Sequence, residues 1–226
     1  MMKKRILTVL ACGLLLSGCT KASDIAKQAG EETETAEPVT LTITNPVDLV
    51  VLEEHPDMSG YQWLDDSDPA FERISLKESI RMYKEGGSGI VYYGRANCPW
   101  CQRAVPVLNE AAKEEGITVY YVDVDSAMDN EGVILLNSEE GREVYDDLVS
   151  CIVSTFTQKD EEGNPSFQIP LVISVKNGEI QGSHLSLVDD FTLTDASAQM
   201  DEVQHDELKA IYEDLMEKAA LHNWMR

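Results

Sequence analysis

The stretch that decides the fold lies between positions 92 and 101 and reads Tyr92-Tyr93-Gly94-Arg95-Ala96-Asn97-Cys98-Pro99-Trp100-Cys101. A compact apolar run, Gly89 to Tyr93, leads into it and predicts a buried strand. Pro99 to Glu115 has the pattern of a helix, which Gly116 ends. The two cysteines therefore stand where a strand turns into the first turn of a helix.

The start of a helix changes the chemistry of a cysteine. First-turn N–H groups have no partner within the helix and carry partial positive charge, so they stabilise a thiolate. Cysteines in such positions have pKa values lowered to about 3.5–7.5. Cys98 comes first and is expected to be the more exposed, attacking sulfur. Cys101 lies one turn further on the same face and can resolve a mixed disulfide; Pro99 suits the first helical position, where its missing N–H costs nothing.

The same two cysteines have alternative interpretations, as a structural disulfide or as half of a metal site. A structural zinc site needs four ligands, and the histidines that could complete one, His184, His205 and His222, are scattered. We predict a redox pair with no metal and no cofactor. Cys151 falls on the apolar stripe of a predicted helix and is expected to be an inert buried thiol; a third redox thiol or an intermolecular link is the alternative.

Hydrophobic periodicity extends the prediction in both directions. Ser75, with Glu78 three residues later, indicates a capping box and a short helix that ends at Gly86-Gly87. Further elements are predicted as a strand at Ile117–Val124, a helix at Glu139–Phe156, a hairpin of Leu171–Val175 and Glu179–Ser183 around Asn177-Gly178, and a closing helix through Leu208 and Ala219. This order predicts an α/β fold, a mixed sheet with helices on both faces.

Beyond the cysteines, the chain resembles the thioredoxin superfamily over about residues 71–222. Pro106 lies eight residues after Cys98, where thioredoxins have a proline that kinks the helix. Ile169-Pro170 resembles the superfamily's cis-proline, which sits against the active-site sulfurs. The resemblance implies a thioredoxin-like mixed sheet flanked by helices, with a helical insertion, about 126–168, before the cis-proline strand. We expect that insertion to lie beside the redox pair.

A closer resemblance is to secreted thioredoxin-like proteins of the bacteriocin-transport-accessory type. It is carried by Tyr93-Gly94-Arg95, by Cys98 to Cys101, and by a following strand like Tyr120 to Asp123. It implies the fold and thiol-redox chemistry, and no bacteriocin role is taken from it.

Departures from the thioredoxin pattern bear on the chemistry. Pro99-Trp100 replaces the Gly-Pro of thioredoxins, so the redox direction is not predicted. Tyr92 stands six residues before Cys98, where thioredoxins have a buried Asp that accepts the proton of the second thiol. Another group, or water, must take that proton here.

The predicted substrate-binding residues are Trp100, Ile169 and Pro170, the last two because they resemble the cis-proline site. Trp100 is expected to lie exposed beside Cys98, with simple packing as its alternative role. Arg95 either biases the thiolate electrostatically or is a solvated loop residue.

The first 18 residues are predicted to be a lipoprotein signal peptide. A basic start, Met1 to Arg5, precedes an apolar run, Ile6 to Leu16, that is far short of the ~20 residues a membrane-spanning helix needs. Leu16-Ser17-Gly18-Cys19 resembles the lipobox of bacterial lipoproteins, which implies cleavage before Cys19 and acylation of that residue. Acyl chains hold a protein at a membrane because each buried CH₂ contributes about 0.8 kcal/mol. An ordinary signal peptide with a chance cysteine is the alternative.

The remaining domain predictions follow from composition. Residues 19–38 are polar and acidic and are predicted to be a flexible tether. Residues 39–70 form an N-terminal extension, in which 39–51 could be a strand, and residues 71–226 the thioredoxin-like domain. The formal net charge is −23, and loss of the signal removes only basic residues. So acidic a surface repels nucleic acid and anionic head groups.

The sequence thus predicts an enzyme, a membrane-anchored thiol–disulfide oxidoreductase on the extracytoplasmic side of the cell membrane. Its substrates would be disulfides or dithiols of cysteine-containing secreted or surface proteins, with a membrane partner supplying or removing electrons and no nucleic acid involved. The alternative is a non-enzymatic accessory or binding lipoprotein that uses the fold as a scaffold.

Overall fold

A computed structural model describes residues 41–124 and 139–220. Their helices and strands are β1 (Val51–Glu53), β2 (Phe71–Ile74), α1 (Leu76–Lys84), β3 (Gly89–Gly94), α2 (Pro99–Glu115), β4 (Val119–Asp123), α3 (Glu139–Ile152), a 3-10 turn (Val153–Thr155), β5 (Gln158–Lys159), β6 (Pro165–Ser166), β7 (Leu171–Lys176), β8 (Glu179–Leu185) and α4 (Glu202–Ala219). Outside the described residues lie the predicted signal peptide, Cys19, the predicted tether, the first part of the predicted insertion, and His222.

The main sheet has the order β1-β2-β4-β3-β7-β8. Strands β2, β4 and β3 run parallel, and β7 and β8 continue the sheet antiparallel. Neighbouring residues of the central strand β3 face opposite sides. Ile90 and Tyr92 join the core under α2 and α4, while Val91 and Tyr93 join the core under α1 and α3. Both faces of β3 are buried, which is why this strand reads as an uninterrupted apolar run.

The predicted mixed sheet with helices on both faces is confirmed, and so are most helix and strand boundaries near the cysteines. The α2 helix spans the predicted residues and ends at Gly116 in the left-handed conformation, with φ of 67°. Ser75 caps α1 by accepting the Glu78 N–H at 3.2 Å. The β7–β8 hairpin turns at Asn177 and Gly178, both with positive φ.

Several elements differ from the prediction, and β8 runs on to Leu185, two residues past the predicted end. Strand β2 was not predicted, because four residues are too few to show a period. Strand β4 begins at Val119, two residues late, since the end of α2 leads into it through a turn. Of residues 41–51, the described part of the possible strand at 39–51, only Val51 pairs, with Ile74. The helix predicted to reach Phe156 ends at Ile152 and tightens into the 3-10 turn.

The segment before β2 is part of the folded core. Met58 and Tyr61 are buried under the face that carries α2. Asn109 of α2 accepts the Ala70 N–H at 2.8 Å and donates to Asp66 at 2.9 Å, and Lys113 bonds the same carboxylate. The segment between β1 and β2 is therefore fastened along the helix that begins at the two cysteines.

The described part of the insertion lies mostly away from the cysteines. Leu148 and Ile152 of α3 pack in the core under α1, on the face of the sheet opposite α2. Only its last residues approach the predicted site, through Phe167, whose ring packs edge-on against Tyr93. The expectation that the insertion lies beside the redox pair is therefore wrong for α3, because its apolar stripe is satisfied by α1 on the other face.

Candidate functional site

Cys98 and Cys101 lie where the sequence predicts, at the junction of β3 and α2. Cys98 is the N-cap residue of α2, with extended backbone, and Pro99 follows as the first helical residue. The Cys98 sulfur accepts a hydrogen bond from the Cys101 N–H at 3.3 Å. A sulfur thus occupies the position where a serine or aspartate oxygen usually caps a helix. Both cysteines are free thiols.

The two thiols differ in exposure. Cys98 is 7% exposed and Cys101 is fully buried, so only Cys98 offers its sulfur to a partner. Trp100 between them is 41% exposed, as the sequence predicts. A partner protein would therefore contact the exposed indole of Trp100 next to the slightly exposed Cys98.

The helix start also separates the pKa values of the pair. Hydrogen bonding by the Cys101 thiol lowers the pKa of Cys98 to about 6 against the opposing effect of burial, assisted by the N–H groups of Cys101 and Trp100 and the charge of Arg95. Burial raises the pKa of Cys101, and the adjacent Cys98 sulfur raises it further. At neutral pH, Cys98 is therefore the thiolate and Cys101 the thiol.

This difference gives a testable pH dependence. In a Cys151→Ser background, the iodoacetamide reaction rate at Cys98 should rise through a midpoint near pH 6 and level off above pH 7, because only the thiolate attacks. Arg95→Gln should move that midpoint upward. The measurement is alkylation of Cys98 by mass spectrometry across pH 4–10. A rate still rising through pH 8.5, as for an ordinary thiol, would contradict the assignment.

The predicted substrate-binding residues Ile169 and Pro170 lie at the same end of the sheet. The peptide bond between them is cis. Antiparallel pairing sets Tyr93 against Leu171, so Pro170 comes just beyond the pair, at the end where β3 leads toward Cys98. The Pro170 carbonyl accepts from the Ser186 N–H at 2.8 Å. A partner strand arriving at this edge would therefore have to bond to the Ile169 backbone.

Two side chains of α2 that the sequence analysis missed hold the first turn of the helix in place. Gln102 donates to the carbonyls of Gly60 (2.7 Å) and Ala96, and accepts the Gln62 N–H at 2.8 Å. Arg103, only 3% exposed, donates to three carbonyls. Those bonds go to Pro99 at 2.5 Å, Ala196 at 3.0 Å and Ala198 at 2.6 Å. Helical periodicity alone could not distinguish these two from ordinary solvated residues.

Beneath Cys101 lies a group of tyrosines that the sequence analysis also missed, apart from Tyr92. The Tyr92 hydroxyl is 3.3 Å from that of Tyr61, which donates to the Tyr121 hydroxyl at 3.1 Å. The ring of Tyr92 lies over Gly94, where a Cβ would meet its hydroxyl at 2.0 Å. Glycine at 94 is therefore what allows this tyrosine to reach below the cysteines.

Other predicted residues are dispersed. Cys151 is half-buried and packs in the core under α1, on the opposite face from Cys98 and Cys101. Within the described ranges, no three His, Cys, Asp or Glu side chains cluster as metal ligands. Over residues 41–124 and 139–220, no helix is both long and apolar enough to cross a membrane.

A protein-family model matches part of the chain. The family model TraF, described as F plasmid transfer operon protein, matches residues 73–146 of the 226. The matched stretch runs from β2 into α3 and contains Cys98 and Cys101. TraF is a thioredoxin-like family. The sheet order and this match together establish that the chain has a thioredoxin-like fold, similar to TraF over the segment that holds both cysteines.

Proposed function

We propose that the protein is a thiol–disulfide oxidoreductase that uses Cys98 as its attacking sulfur and Cys101 as its resolving sulfur. The observation that carries the proposal is the asymmetry of the pair. One sulfur caps a helix and has a pKa near 6, and the other is fully buried one turn below with a raised pKa. A static disulfide needs no such difference between its two cysteines.

The proposed reaction has two exchange steps. The Cys98 thiolate attacks a substrate disulfide, forms an S–S bond with one substrate sulfur and releases the other as a thiolate, which takes a proton. Cys101 then loses its proton and attacks the Cys98 sulfur, so that the Cys98–substrate bond breaks and the second substrate sulfur leaves. Two electrons pass from the cysteine pair to the substrate. Run backwards, the same steps oxidise a substrate dithiol.

Substrate binding is assigned to the edge formed by Trp100, Ile169 and Pro170. Because Pro170 has no N–H and its carbonyl is already bonded to Ser186, an extended substrate segment would pair with the Ile169 backbone. The exposed indole of Trp100 would cover an apolar side chain of that segment. Such contacts are independent of sequence over most of the segment and suit a protein that acts on several partners.

The proposed location follows from the N-terminus. The basic start, the short apolar run and the Leu16–Cys19 box support an extracytoplasmic lipoprotein held at the cell membrane by acyl chains on Cys19. Its substrates are then cysteine-containing secreted or surface proteins, in a compartment where disulfides persist. Electrons would come from, or go to, a membrane partner.

The proposal is tested by equilibrating the purified protein with glutathione redox buffers and trapping thiols by alkylation. Cys98 and Cys101 should interconvert in one two-electron transition, with Cys151 unchanged throughout. A midpoint near about −270 mV would indicate a reductant, and one near about −120 mV an oxidant. If the pair stays in one state across the whole range, the oxidoreductase proposal fails, and a scaffold that only binds a transfer or export partner becomes the better account.

A further inference from the structure

Three tyrosine hydroxyls form a continuous chain in the core below the cysteines. Tyr61 comes from the segment before β2, Tyr92 from β3 and Tyr121 from β4, and the three side chains are 3%, 0% and 5% exposed. The Tyr92 and Tyr121 rings stack, with centroids 5.4 Å apart and an interplanar angle of 23°. Burying three hydroxyls from three parts of the chain costs free energy unless each hydroxyl forms a hydrogen bond.

The direction of the chain follows from counting protons. Each hydroxyl has one hydrogen to donate. Tyr61 donates its hydrogen to Tyr121 at 3.1 Å, so in the 3.3 Å contact between Tyr61 and Tyr92 it is Tyr92 that donates. The hydrogen bonds therefore point away from Cys101, and the Tyr92 oxygen keeps a lone pair for another donor.

The inner end of the chain lies at the buried thiol. Tyr92 packs with Cys101 in the core under α2 and α4. Its hydroxyl, when it donates to the sulfur, would lower the pKa of Cys101 against the larger, opposite effect of burial. The Tyr92 hydroxyl occupies the space that a Cβ at position 94 would fill, so glycine at 94 permits this position. Full burial and stacking on Tyr121 hold the Tyr92 ring in the core that also contains the sulfur that must lose a proton in the second exchange step.

The outer end of the chain lies at an open cavity of about 500 Å³. Tyr61 and Tyr121 line this cavity together with Glu53, Arg73 and Asp123. Arg73 forms an ion pair with Glu53. The hydroxyl chain therefore connects a sulfur with no exposed surface to a solvated, charged cavity that can accept or release a proton.

We propose that Tyr92, Tyr61 and Tyr121 carry the Cys101 proton to this cavity during the resolving step. The inference rests on the proposed exchange function. The Cys101 proton passes to the Tyr92 oxygen, the Tyr92 proton to Tyr61, and the Tyr61 proton to Tyr121, whose own proton leaves to water in the cavity. The net change is one proton moved outward, and each tyrosine is neutral before and after. In the product state the hydroxyls point inward, with Tyr92 donating to the Cys101 thiolate.

Tyrosine suits this role because its neutral hydroxyl can pass a proton on. It does not act here as a deprotonated base. Burial raises the pKa of Tyr92 and of its two partners far above their ordinary value, so none of the three is a phenolate at neutral pH. A hydroxyl can accept one proton and give up another in the same event. The site therefore deprotonates Cys101 without leaving a negative charge on any of the three tyrosines.

The test separates the two exchange steps by reacting reduced protein, in a Cys151→Ser background, with the chromogenic disulfide dithiobis-nitrobenzoate. The first released aryl thiolate reports attack by Cys98, and the second reports resolution by Cys101. Tyr92→Phe should leave the first step unchanged and slow the second at least about tenfold at pH 7, because assisted proton transfer typically contributes 10²–10⁴-fold. The slowed step should then gain about tenfold in rate per pH unit, since hydroxide must remove the proton instead.

Two further variants make the result specific. Tyr61→Phe, which does not touch the sulfur, should slow the second step and steepen its pH dependence as Tyr92→Phe does. Tyr93→Phe is the matched control, because Tyr93 is equally buried and its hydroxyl bonds that of Tyr83 at 3.0 Å on the other face of the sheet. It should resolve at the parent rate.

The outcomes distinguish the relay from the exchange function. If both aryl thiolates are released by the parent protein but Tyr92→Phe resolves at the same rate and with the same pH dependence, the relay is overturned and the exchange function stands. The relay is likewise overturned if Tyr93→Phe slows resolution as much as Tyr92→Phe. If the parent protein releases no second thiolate, both the relay and the exchange function fail.

Discussion

Replacing Cys98 with serine is expected to reduce disulfide exchange to the background rate of the uncatalysed reaction. A serine hydroxyl is not ionised at neutral pH and cannot form a disulfide, so the first exchange step has no substitute. The fold should survive, because Cys98 is the N-cap of α2 and serine is a preferred N-cap residue. The measurement is the rate of insulin reduction by the purified protein with dithiothreitol as electron source.

Cys101→Ala should separate the two halves of the same reaction. This variant keeps the attacking sulfur and removes the resolving one, so mixed disulfides between Cys98 and substrate should accumulate and resist further exchange. Expressed in cells, it should carry covalent partners that appear on non-reducing gels and are released by a reducing agent. Alanine is chosen because position 101 is fully buried and alanine adds no polar group there.

Cys151→Ser is the matched control for both variants. Cys151 lies on the opposite face of the sheet, packed against the core under α1, so its loss should leave insulin reduction and mixed-disulfide formation unchanged. Parent-like insulin reduction by Cys98→Ser would rule out the proposed chemistry. Equal trapping by Cys101→Ala and by a Cys98→Ser/Cys101→Ala double variant would show that the adducts form elsewhere.

The largest expected effect on stability is at Arg103. Arg103→Met keeps most of the aliphatic length but removes the donors to Pro99, Ala196 and Ala198, together with the guanidinium that lies 4.5 Å from the Trp63 ring centroid. Bonds to a charged donor contribute about 1.5–3 kcal/mol each. The carbonyls of Ala196 and Ala198 would lose their donor from α2. We expect the free energy of unfolding to fall by about 3 kcal/mol.

Urea unfolding followed by circular dichroism measures that loss. Arg81→Met is the control, since Arg81 forms exposed ion pairs with Glu78 and Glu85 on α1, and exposed pairs contribute about 0–1 kcal/mol. A loss at Arg103 no greater than that at Arg81 would show that the buried guanidinium does not fasten the 196–198 segment to the helix.

Local features of this fold were predictable from the sequence. The α2 helix, its glycine end and the Asn177-Gly178 hairpin depend on backbone preferences of a few adjacent residues. The cis bond before Pro170 was expected from the resemblance to thioredoxins, and the structure has it. By contrast, β2 is only four residues long and is held by pairing with β4, so its own sequence carried too little pattern to predict it.

Partners distant in sequence were not predictable. The sequence pattern alone would place Arg103 on the helix surface. In the folded protein, the 196–198 segment and Trp63 contact its guanidinium and bury it. Tyr61 lies in a turn-rich acidic segment whose sequence gives no sign that it enters the core. Tyr92 stands where thioredoxins have a proton acceptor, but its sequence position does not reveal the Tyr61 hydroxyl that lies 3.3 Å from its own.

The sequence by itself determined that a cysteine pair opens a helix after a buried strand, and this pattern predicts the order of reactivity proposed for Cys98 and Cys101. Helix-end N–H groups and a one-turn spacing are properties of neighbouring residues, so they can be read from the chain directly. The tertiary structure alone decided what surrounds the pair: the carbonyls that hold Arg103, and the hydroxyls of Tyr61 and Tyr121 that meet Tyr92 below Cys101. Those contacts form only when strands and loops far apart in the chain close around one core, which no local pattern encodes.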